Sequence, residues 1–171
     1  MYIEKDENNK FLEKWKKVER SFTRVKHAYE RKETNDYETS LDNIEDFFND
    51  CFSLKDWLSR SQPNLKDAVE DLFKKRIGPE CFQVCADFAN RSKHLILERK
   101  VRKDAATRVV SQNVTVFVGV IGDNTPPVSK YSWDIESEGK RYDAYTLAKN
   151  CFDEWKKFLM LHRLLQDDSM N

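Results

Sequence analysis

Apolar residues recur through residues 8–32 at alternating steps of four and three: Phe11, Trp15, Val18, Phe22, Val25 and Tyr29. That spacing predicts an amphipathic helix with one narrow apolar stripe. Its other faces are densely charged, so it belongs on the outside of a bundle or against a partner helix. A second helix is expected from a cap at Thr39 or Ser40 to about Arg60. Ile44, Phe47, Phe48, Cys51, Phe52, Leu54, Trp57 and Leu58 give it a wide apolar face, which makes it the expected central helix. Pro63 breaks it, and Asn64 is placed to cap a third helix that buries Leu65, Ala68, Val69, Leu72 and Phe73. Lys74, Lys75 and Arg76 complement that helix's C-terminal dipole. Gly78 suits a left-handed cap, and Pro79 suits the first turn of a fourth helix over about 79–97.

The period then changes. Val114, Val116, Val118 and Val120 alternate with Thr115, Phe117, Gly119 and Ile121, which reads as a strand. Tyr131, Trp133 and Ile135 mark a second strand, and Glu138-Gly139 a tight turn into a short third one at Lys140–Tyr142. Asp143 is placed to cap a last helix, where Leu147, Ala148, Cys151, Phe152, Trp155, Phe158, Leu159 and His162 return to helical spacing. The pattern predicts a mainly α fold: an up-and-down bundle of about five helices with a small antiparallel β-meander at about 109–142, before the last helix. One domain spans residues 1–171. Phe48, Phe52, Phe88, Phe152 and Trp155 are assigned to one core, and Trp57 and Trp133 are also read as core.

No apolar run approaches the roughly 20 residues that span a bilayer, and the N-terminal MYIEKDENNK lacks the apolar centre of a signal peptide. The expectation is a cytoplasmic protein without a membrane partner, whose four cysteines stay reduced. Cys81 and Cys85 lie one helical turn apart, a spacing able to place two ligands on one face. No CxxC pair and no histidine at ligand spacing accompany them. The four cysteines are therefore read as small core residues, and no metal or other cofactor is assigned.

Net charge is zero but unevenly spread. Residues 10–32 carry nine Lys/Arg against three Glu, and residues 33–50 carry seven acids and no Lys or Arg. Residues 91–108 carry seven Lys/Arg against Glu98 and Asp104. Such blocks serve an anionic partner, neutralise one another inside a fold or dimer, or simply form solvated faces.

One polar stretch interrupts the apolar fourth helix. Asp87, Asn90, Arg91 and His94 fall at i, i+3, i+4 and i+7 and so share a face. A histidine beside an arginine supplies proton transfer and anion stabilisation, the pair that cleaves a phosphodiester without metal. The same residues also fit a helix end dressed with cations and an i, i+4 ion pair. Several up-and-down helices with an Asn-x-x-Lys-His segment, here Asn90 to His94, resemble HEPN-like proteins and small bacterial and phage proteins with a similar segment. That resemblance implies a helical bundle, often dimeric, and in many members a metal-independent RNase. It would make Arg91 and His94 catalytic, with Asp87, Asn90 and Lys93 completing a polar cluster. The chain departs from the family pattern, because only Ser92 and Lys93 separate Arg91 from His94, a shorter spacing than the family's.

If nucleic acid binds, the contacts are expected from Lys93, Arg99, Lys100, Arg102, Lys103 and Arg108. No glycine sits in a phosphate-cradling loop and no serine in a nucleophile elbow. His27 and His162 stand far from other candidate ligands. The expected function is a helical interaction or dimerisation module, with RNA, a protein or a second copy as partner. The alternative is a metal-independent endoribonuclease of HEPN type, acting as a toxin or anti-phage effector.

Overall fold

The computed structural model describes residues 10–30, 37–93, 107–117 and 128–165. Five α-helices and a three-stranded antiparallel sheet make up the described chain: α1 (Lys10–Glu30), α2 (Tyr37–Ser61), α3 (Lys66–Asp71), α4 (Glu80–Lys93), β1 (Arg108–Phe117), β2 (Val128–Ser137), β3 (Lys140–Asp143) and α5 (Ala144–Leu161). The fold is mainly α, with the sheet before the last helix, as the periodicity predicts. Among the described residues no helix is long and apolar enough to cross a membrane.

The apolar stripe of α1 buries Phe11, Trp15, Val18 and Val25. Ser21 joins them by donating to the Lys17 carbonyl of its own helix. Phe22 and Phe152 stack at 4.6 Å, and Trp15 and Phe152 at 5.0 Å, so aromatic faces join α1 to α5. A second aromatic chain runs from Phe52 through Phe73 and Phe82 to Trp155, joining α2, the α3–α4 turn, α4 and α5. Phe48, Phe88 and Trp155 are buried as assigned, whereas Phe52 and Phe152 are half-buried and pack against the core from its edge.

Several local expectations are corrected. Trp57, on the outer side of α2, is 45% exposed and not core. Helix α2 is otherwise the central helix, as the pattern predicts, packing against α1, α3, α4 and α5, and every residue of α4 from Cys81 to Ala89 is buried. Ser40 lies inside α2 and is buried, so it is no cap. Asn64 falls within the short 3-10 turn Pro63–Leu65, and α3 begins after Leu65 without a side-chain cap. The left-handed residue after α3 is Arg76, at φ 72°, and not Gly78. Gly78 is required for space: its backbone N–H donates to the Lys74 carbonyl at 2.9 Å, and a Cβ there would overlap the Leu72 carbonyl.

The sheet order is β1-β2-β3. Arg108 pairs with Glu136 and Phe117 with Val128, with a bulge between Val109 and Ser111. β1 therefore starts earlier than the Val114 to Ile121 alternation suggests, and residues 118–121 lie outside the described residues. On β2, Trp133, Ile135 and Ser137 are buried and alternate with half-buried Ser132, Asp134 and Glu136. Glu138 and Gly139, at φ 50° and 70°, make the predicted tight turn into β3. Asp143 caps α5 as expected, accepting from the Thr146 backbone N–H at 2.8 Å.

Candidate functional site

The polar residues that the sequence groups on the fourth helix differ in exposure. Asp87 is fully buried and engaged in an interaction, Asn90 is half-buried, and Arg91 is exposed. Asp87 and Arg91 thus sit at opposite extremes of exposure although one turn apart. Lys93 ends α4, while His94, Arg99, Lys100, Arg102 and Lys103 lie outside the described residues. Arg108 is exposed at the start of β1.

The first two charge blocks meet. Lys14 and Lys17 reach Asp50 at 2.8 and 3.0 Å, and Arg24 reaches Asp46 at 3.4 Å while donating to the Asn43 side-chain carbonyl. Burial alone would raise the Asp50 carboxyl, but hydrogen bonds and charge from Lys14 and Lys17 outweigh it and hold the group below its usual range. Glu45 shows the opposite balance, raised first by burial and then by Asp42 and Asp46.

A polar knot joins α1 to the sheet and to α5. The Tyr29 hydroxyl donates to Asp143 Oδ2 at 2.9 Å and accepts from the backbone N–H groups of Trp133 and Tyr145 at 3.1 and 3.0 Å. Burial, with the Asp143 charge adding to it, pushes the phenol well above its ordinary value. Tyr29 and Asp143 are thus committed to the cap and the helix–sheet joint. Tyr29 stays a neutral hydrogen-bonding post at physiological pH.

The most concentrated chemistry lies in the core. Cys51 of α2, Cys85 of α4 and Cys151 of α5 are fully buried, and their sulfur atoms all lie within 4.8 Å of one another. Cys85 Sγ is 3.6 Å from the Phe48 carbonyl, and Cys151 Sγ is 3.4 Å from the Cys81 carbonyl. Trp155 Nε1 donates to the Cys51 carbonyl at 3.1 Å. Burial pushes the Cys85 and Cys151 thiols up. Burial also opposes ionisation of Cys51, but hydrogen bonds from Cys151, Cys85 and Trp155 draw it down. Cys81, the fourth cysteine, is buried beside Cys151.

Sequence spacing pointed to Cys81 and Cys85, neighbours on one helix. The three converging thiols come from three helices and are separated by 34 and 66 residues of chain. The only sequence signal was that each occupies an apolar-pattern position. The fold and this cluster define a mainly α bundle with a small β-meander and a buried thiol centre. In comparisons with known proteins, no family model, curated protein or solved structure matches the chain.

Proposed function

We propose that the protein is a non-catalytic helical module that binds the backbone of RNA through its basic segment, residues 91–108. The carrying observation is the pairing of α1 with α2. Lys14, Lys17 and Arg24 are matched to Asp50 and Asp46, so part of the acidic block serves to hold the first two helices together. The surplus of five positive charges in residues 91–108 has no comparable acidic block next to it in sequence. Its two ends, Arg91 and Arg108, are both exposed. A cation-rich segment of this density binds phosphate by displacing condensed counterions.

The test is RNA binding and cleavage by the purified protein with EDTA present. Binding without cleavage is expected, with Lys100→Glu plus Lys103→Glu weakening it and leaving the melting temperature unchanged. Cleavage that Arg91→Ala abolishes would favour the HEPN-type endoribonuclease instead, a reading that the exposure of Arg91 keeps in play. No binding at low salt would remove both.

A further inference from the structure

All four cysteines of the chain are buried, and three of them converge from three helices. Sulfur-only donor sets suit thiophilic ions, Zn2+ and Cu+ above all. With Zn–S bonds of about 2.3 Å, three sulfurs around one ion stand roughly 4.0 Å apart. The three sulfurs here are no more than 4.8 Å apart, so closing on an ion needs side-chain shifts of under about 1 Å each. We propose that Cys51, Cys85 and Cys151 form a buried three-thiolate site for one thiophilic metal ion, Zn2+ in the first instance.

The surroundings fit the assignment. Trp155 Nε1 fixes the backbone at Cys51 from α5, the helix that supplies Cys151, so the two ligands are held relative to each other. Cys85 enters from α4, which is buried from Cys81 to Ala89. Binding Zn2+ releases three thiol protons and leaves one net negative charge in the core, so affinity falls as pH falls. Because each ligand comes from a different helix, the ion ties α2, α4 and α5 together and its binding is coupled to folding. Full burial means that loading occurs during folding or a transient opening. This site is independent of the basic segment.

The experiment refolds the reduced, chelator-treated full chain with excess Zn2+ or with Cd2+, whose thiolate charge-transfer absorption reports sulfur ligation directly. One ion per chain after desalting, a raised melting temperature and a Cd2+–thiolate band are expected. Cys85→Ser and Cys151→Val should each lose the band, while Cys81→Ser keeps it. If those variants fail to fold, the wild-type Cd2+ band and metal count decide alone. A refolded wild-type protein with four titratable thiols, no band and no stoichiometric metal would overturn the proposal, and the cluster would then be packing only.

Discussion

Asp50 accepts from two lysines of the neighbouring helix through one oxygen, while its other oxygen, Oδ2, is buried without a partner among the described residues. One buried oxygen is left unpaired, so the stability of the carboxylate in the fold rests on the two lysines. Its pKa is depressed in the folded state, so its contribution is present above the ordinary carboxylate range and is lost as pH falls through the folded value. Asp50→Asn should destabilise the protein by about 1–3 kcal/mol at neutral pH, the usual cost of losing bonds to a charged partner. That difference should shrink in denaturant melts repeated toward pH 3. A constant difference across pH would show that the pair does not hold α1 on α2. The sequence showed the opposed charge blocks but not which lysines face Asp50. Helical phase places Lys14, Lys17 and Asp50 on their own helices, whereas contact depends on how α1 and α2 are rotated against each other.

Elements were most legible where period and punctuation agreed. The α1 stripe, the Glu138-Gly139 turn and the Asp143 cap all follow from local chemistry, and each appears where the pattern puts it. The wide apolar face of α2 likewise makes it the central helix, packed against α1, α3, α4 and α5. The burial of α4 through nine consecutive residues was not legible, because amphipathicity records one buried face and a helix covered on more than one side needs none. The same limit left the burial of Asp87 open, since its i, i+4 spacing from Arg91 fits an exposed ion pair as well as a buried group, and the residue lies in the interior. Tyr29 is where three elements are joined, since its hydroxyl serves two backbone N–H groups and the Asp143 carboxylate at once. Tyr29→Phe keeps the ring and strands those donors, so about 1–3 kcal/mol of stability should be lost. A loss near zero in denaturant melts would mean that water replaces the hydroxyl and that the joint rests on ring packing against Trp133 and Tyr145 alone.

At the scale of the whole molecule, charge is organised by function of position. The α1–α2 pairs hold two helices together, and the excess cations of residues 91–108 run in sequence from the last turn of α4 to the first residue of β1. The candidate thiol centre was illegible for a different reason. Its members are far apart in sequence, and only the packing of three helices brings them together. Residues 91–108 are proposed to bind an RNA backbone electrostatically without cutting it. The decisive measurement is affinity for a single-stranded RNA between 50 and 200 mM salt, in EDTA. Seven Lys/Arg facing phosphate predict a loss of about a thousandfold over that range, with the RNA recovered intact. Affinity that ignores salt, or RNA that is cleaved, would contradict the account.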